Sequence, residues 1–151
     1  MINAWFDGVC EPKNPGGHGA YGIYIAAFDN VPVCSRGKYV GYGANISNNV
    51  AEYTGFIDIL ETLAAYNKKN IHIRGDSNLV IQQMSGNWRI KQGLYVPYAL
   101  KAQKLLSKFR KVTLEWIPRE ENEICDKLAK DVLRNKNIVF RIQPEGQLCQ
   151  K

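Results

Sequence analysis

The sequence is poor in the residues that build simple catalytic or stapled motifs. Histidine occurs only at His18 and His72, and cysteine only at Cys10, Cys34, Cys125 and Cys149, with no CxxC pair and no Cys/His cluster. That argues against a zinc centre and favours reduced thiols in a cytoplasmic setting, with one disulfide holding down the tail as the alternative. No apolar run is long enough to cross a bilayer, since the longest, Ala20 to Phe28, is broken by Gly22. The opening residues have no basic stretch ahead of an apolar one, so neither a leader nor a membrane anchor is expected. Acidic residues are missing from Ser77 to Leu114, where Arg89, Lys91, Lys101, Lys104, Lys108, Arg110 and Lys111 supply seven positive charges. This stretch carries the net charge of +6, and the remainder is close to neutral. Such a face is either solvated surface or a track for a polyanion, of which a nucleic acid is the obvious example.

What is present suffices for one domain. A chain of 151 residues that is 45% hydrophobic can bury a core without disulfides or a structural metal. Strands are expected at Ile2 to Cys10, Ala20 to Phe28 and Val33 to Tyr42, the first two joined by the turn "EPKNPGG". Tyr53, Phe56, Ile57, Leu60, Leu63 and Ala64 recur at helical spacing between Asn48 and Asn67, with "SNN" offering an N-cap. "NIHIRGD" reads as a fourth strand, "SNLVIQQM" as a helix opened by Ser77, and "VTLEWIP" as a fifth strand. Helices from Pro97 to Phe109 and from Glu120 to Arg134 flank that strand, and "NIVFRIQPEG" fits either a strand or a loose end. The order predicts an α/β domain with a mixed sheet.

Four carboxylates interrupt these apolar elements. Asp7 lies on the first strand, Glu52 on the first helix, Asp76 at the carboxyl end of the fourth strand and Asp126 near the start of the last helix. Ligand crevices of open α/β sheets lie at strand ends, so Asp7 and Asp76 meet if strands one and four are neighbours. Asn122 and Asp126, four residues apart, share a helix face. Gathered carboxylates repel one another unless cations lie between them, and hard oxygen donors suit Mg²⁺ or Mn²⁺ rather than zinc. A strand-end aspartate also serves as a cap or turn residue, and spacing alone leaves both readings open.

The blocks "FDGVCEPKNPGG", "NNVAEY", "GDSNLVI" and "PREENEICDKLA" resemble, in order and spacing, the four signature blocks of type 1 ribonuclease H, most closely its compact archaeal-type members. The resemblance covers about Ile2 to Leu133. It implies a ribonuclease H-like fold: a five-stranded mixed sheet, strands one to three antiparallel, with helices on both faces. Residues 1–135 would form the catalytic domain and 136–151 a C-terminal tail packed on it. It further implies that Asp7, Glu52, Asp76 and Asp126 hold two Mg²⁺ ions, with Mn²⁺ as substitute, for endonucleolytic cleavage of the RNA strand of an RNA/DNA hybrid. A monomer is expected, with double-stranded RNA as a second candidate substrate. Substrate contacts are expected from Cys10, Asn14, Asn48, Asn49 and Asn78 around the carboxylates, and from Lys101 and Lys104 on the basic helix. Asparagine suits 2′-hydroxyls and base edges, although Asn14 and Asn48 equally suit turns and caps.

Two departures from the bacterial pattern stand out. Only "GNWRIKQGLYVPY" separates two helices where those enzymes carry a basic protrusion, and "IPREEN" has no histidine, leaving Arg119 as the catalytic candidate there. Other readings are a different nuclease of the superfamily, which "NNVAEY" and "DGVCEPKNPGG" do not suit, and a non-catalytic hybrid-binding module. The latter would ordinarily lack a carboxylate, and none is lacking.

Overall fold

The computed structural model describes residues 1–26 and 33–141. The expected end of the second strand at Phe28, and Cys149 with any disulfide it forms, lie outside the described residues. The elements run β1 (Ile2–Glu11), β2 (His18–Ala26), β3 (Cys34–Tyr42), α1 (Asn48–Ala65), β4 (Asn70–Gly75), α2 (Asn78–Met84), α3 (Val96–Leu106), β5 (Lys111–Trp116) and α4 (Glu123–Asn135). They form a sheet of order β3-β2-β1-β4-β5. β1 to β3 are antiparallel, while β4 runs parallel to β1 and β5 parallel to β4, as helical crossovers require. This is the five-stranded mixed sheet expected, with β1 at its centre.

Alternation along β2 shows how the helices cover both faces. Tyr21 meets α1 at Gly55, whereas a Cβ at the next residue, Gly22, would collide with the backbone oxygen of Cys125 on α4. Successive strand residues point to opposite faces, so α1 and α4 clamp the sheet from its two sides. On the α1 side, Phe6, Ile23, Ile25, Ile71 and Ile73 pack under Tyr53, Phe56, Leu60 and Leu63, all fully buried. Phe6 and Phe56 meet edge to face at 5.5 Å.

Helix boundaries depart from the expected ones for local reasons. Ser47 caps α1 by accepting from Val50 N at 3.1 Å, but the helix stops at Ala65. Asn67 turns left-handed at φ 55°, and Lys68 N bonds back to Leu63 O. α4 begins at Glu123 rather than Glu120, because Arg119–Glu121 form a short 3-10 turn and Asn122 breaks from helical geometry at φ −120°, ψ 32°. Residues 136–141 are neither strand nor helix.

Candidate active site

β1 carries Asp7 on the α4 side of the sheet, opposite Gly22. β1 and β4 are neighbours and Phe6 pairs with Gly75, so the first residue beyond β4, Asp76, comes alongside Asp7. Glu52 arrives from α1, whose backbone crosses β1 at Gly8: a Cβ on Gly8 would lie 2.5 Å from Glu52 N and 2.7 Å from Ala51 C. The missing side chain is what allows that approach. Carboxylate oxygens of Asp7, Glu52 and Asp76 lie within 4.8 Å of one another. Asp126 lines the same cleft, but its Oδ2 is drawn 2.9 Å from Lys130 Nζ, one turn along α4.

Burial makes this cluster costly in isolation. Asp7 is 5% exposed and Glu52 4%. Burial first, then the charges of Asp76 and Asp126, push the Asp7 carboxyl up to about 8. Burial, then Asp7 and Asp76, holds Glu52 well above the ordinary carboxylate range. Glu52 Oε2 is buried with no hydrogen-bond partner, although a buried acceptor ordinarily has one. Gly8 N donates to Asp7 Oδ1 at 2.9 Å. A buried glutamate with an orphaned oxygen, grouped with two more carboxylates and offering oxygen donors only, fits hard divalent cations such as Mg²⁺ or Mn²⁺.

Asn122 is a member of the site that sequence reasoning placed on the right face but assigned no task. Only 2% exposed, it donates from Nδ2 to Phe6 O at 2.8 Å and to Asp76 Oδ1 at 3.1 Å. It thereby ties α4 to the centre of the sheet and aims the Asp76 carboxylate. Groups that orient metal ligands typically contribute roughly 10–100-fold in metal affinity or activity. Replacing Asn122 by Ala should weaken Mg²⁺ binding by about that factor, measured by calorimetric titration. Unchanged affinity in a folded Asn122→Ala protein would remove this residue from the site.

The cleft, about 630 Å³, is lined by all four carboxylates together with Cys10, Asn14, Asn48, Asn49, Asn78 and Arg119. Several of these polar groups also hold the cleft's shape. Asn14 Oδ1 accepts from Asn48 N at 2.9 Å, joining the β1–β2 turn to the start of α1, and Asn78 Oδ1 accepts from Gln82 Nε2. Cys10 is buried and its thiol donates to Lys13 O, so any substrate contact at this residue falls to its backbone. Arg119, its side chain 82% exposed, lies 3.8 Å from Asp76 Oδ2.

Lys101 and Lys104 are placed elsewhere, because α3 packs along α1 beyond the cleft. Lys101 lines a separate groove with Tyr21, Lys38 and Tyr98 and pairs with Glu61 at 3.5 Å, while Lys104 sits in the last turn of α3. Neither histidine lines the cleft: His18 bonds Tyr39 and His72 pairs with Glu115. Trp88 is half-exposed, in the short segment after α2.

Comparisons with known proteins agree with this fold. A reverse transcriptase-like family model matches residues 6–132. The bifunctional protein Rv2228c of Mycobacterium tuberculosis is 37% identical over 120 residues, 80% of this chain and 32% of the relative. The chain thus spans about a third of the length of the curated mycobacterial relatives it matches. The crystal structure of RNase H1 from the halophilic archaeon Halobacterium salinarum matches with a TM-score of 0.77 at 31% identity, covering 89% of this chain and 98% of that one. LC11-RNase H1, solved in complex with RNA/DNA hybrid, shares the fold with a TM-score of 0.72 at 24% identity, covering 88% of this chain and 99% of that one.

Proposed function

This chain belongs to the type 1 ribonuclease H family, and from that premise we propose that it cuts the RNA strand of RNA/DNA hybrids by metal-assisted hydrolysis, leaving 5′-phosphate and 3′-hydroxyl ends. The observation that carries this reading is the set Asp7, Glu52 and Asp76, the first two buried, with its orphaned Glu52 oxygen, opening into a cleft rimmed by asparagines. Asp7, Glu52, Asp76 and Asp126 would hold two Mg²⁺ ions, or Mn²⁺ in their place. Bound there, the ions supply a water of lowered pKa and a counter-charge for the departing 3′ oxygen.

The chain's own groups do the rest. Asp7, on the central strand and held rigidly by its neighbours in the sheet, would be one of the residues that hold the ions. Glu52, with a longer side chain on a helix, reaches toward the attacking water or the sugar hydroxyl. Asn14, Asn48, Asn49 and Asn78 meet base edges and 2′-hydroxyls, and the latter separate RNA from DNA. With no histidine lining the cleft, Arg119 helps by charge alone, because a guanidinium stays protonated and cannot shuttle a proton. Lys101 and Lys104 serve only a duplex long enough to run from the cleft along α1.

Free thiols at Cys10, Cys34 and Cys125 support a cytoplasmic protein, which we take to act as a monomer. Among the described residues no helix is long and apolar enough to cross a membrane. The test is cleavage of hybrid, double-stranded RNA and double-stranded DNA with and without Mg²⁺. Hybrid should be cut only with the metal, Arg119→Ala should turn over more slowly, and Arg119→Lys should recover part of the loss. Metal-independent cutting, or no cutting of hybrid at all, would reject the proposal.

A further inference from the structure

The cleft does not end at the carboxylates. Beyond Asp126 its wall continues through Lys130 and Arg134 on α4 and then through Phe140 and Arg141, which follow the helix. The chain is turned back there by Asn137, left-handed at φ 61°, while Ile138 N bonds to Leu133 O at 3.1 Å. Lys136 Nζ then lies 4.3 Å from the Tyr39 ring, and the Arg134 guanidinium lies 5.4 Å from the Phe140 ring. Arg141 locks the segment to the end of β1. Its backbone N–H donates to Glu11 Oε1 at 3.2 Å, and its Nη2 donates to Glu11 Oε2 at 3.0 Å and to Cys10 O at 3.2 Å. Glu11 is buried, so the removal of Arg141 would strand a carboxylate and the contact holds firmly. Arg141 thus ties the segment after α4 to the end of β1, and Phe140 and Arg141 line the cleft.

That wall carries three cationic side chains, Lys130, Arg134 and Arg141. Arg134 has its Nη1 on Asp131 at 2.9 Å, and Arg141 has its Nη2 on Glu11 and Cys10, yet both side chains remain 45% exposed. A guanidinium carries five N–H donors in a planar fork, and these contacts use few of them. Such a fork matches the oxygens of a phosphodiester. Any strand laid with its scissile phosphate at the carboxylates must carry further phosphates past one end of the cleft.

We propose that Arg134 and Arg141, braced by Phe140 and Glu11, form a subsite for a backbone phosphate beside the one held at the carboxylates. This rests on the nucleic-acid reading above, and it makes the segment after α4 part of the substrate cleft. Glu11 is a positioning residue that fixes where Arg141 stands.

The experiment is hybrid binding by fluorescence anisotropy across a salt series, with every protein carrying Asp7→Asn so that substrate stays intact. Arg134→Gln and Arg141→Gln together should weaken binding roughly tenfold or more and lower the salt slope by about one for each phosphate no longer neutralised. Mg²⁺ binding of the same two changes in the Asp7-containing protein should stay as in wild type. Glu11→Gln keeps one amide oxygen to accept from Arg141 and leaves the guanidinium in place, so affinity should fall less than in Arg141→Gln. An unaltered slope in the double arginine variant overturns the subsite. So does a loss in Glu11→Gln equal to that in Arg141→Gln, which would make Arg141 a brace for β1 and nothing more. A wild-type protein that neither binds nor cuts hybrid overturns the functional reading along with the subsite. One that cuts hybrid while the arginine variants bind normally overturns the subsite alone.

Discussion

Asp7→Asn should abolish hybrid cleavage, by on the order of 10³-fold or more, and leave the fold intact or firmer. The loss follows from position: Asp7 stands on the central strand with a carboxylate oxygen within 4.8 Å of those of Glu52 and Asp76, so its removal would take a ligand from the middle of the site. The gain in stability follows from burial. In the metal-free protein the Asp7 carboxyl is pushed up to about 8, by burial and then by Asp76 and Asp126. The folded state therefore binds this proton more tightly than the unfolded chain, whose aspartates titrate near 3.9. Stability from this group is complete below that lower value and is lost as pH rises toward about 8. Asparagine has no such titration. Thermal melts without metal should show Asp7→Asn overtaking wild type increasingly between about pH 5 and pH 8. Adding Mg²⁺ should reverse the order by stabilising wild type more, since binding to the native state raises its stability. Cleavage near the wild-type rate, or a gap that does not widen with pH, would contradict the assignment of Asp7.

Gly8→Ala should cost both stability and activity, although a methyl group is the whole change. The added Cβ would sit 2.5 Å from Glu52 N and 2.9 Å from Glu52 Cα, and backbone on both sides leaves no flexible side chain to yield. α1 must move off β1, against the packing of Phe6 on Phe56. Overpacking of this kind typically costs about 1–3 kcal/mol, and the upper part of that range applies where two backbones collide. Glu52 travels with the helix, and a displacement of about 1 Å in a reacting geometry can cost roughly 100-fold in rate. Urea unfolding and hybrid cleavage at saturating Mg²⁺ measure the two effects. A Gly8→Ala protein with wild-type melting and turnover would mean that α1 does not depend on this close approach for its seat.

Much of the molecule was legible in the order of its residues, because the signals involved are local. The "EPKNPGG" turn, the helical spacing from Tyr53 to Leu63 and the Ser47 and Ser77 caps act within a few residues, and each formed where expected. Asp7 announced itself as a carboxylate in an apolar strand, which needs a partner wherever it is buried. What local pattern could not determine was which distant groups meet. Asn122 bonds to Phe6, 116 positions away, and Arg141 to Glu11, 130 positions away. Neither pairing leaves a trace in periodicity or spacing, so Asn122 looked like a neighbour of Asp126 and "NIVFRIQPEG", of which residues 137–141 are described, like a strand or a loose end. The acid-free stretch shows the same limit. Lys101 and Lys104 share their charge with the rest of that segment, but α3 packs along α1 past the cleft, and charge in the sequence says nothing of direction. Composition and short-range geometry determined the elements and the chemistry they carry; only the sheet order, β1 beside β4 with α4 laid across Gly22, decided that four separate carboxylates would share one cleft.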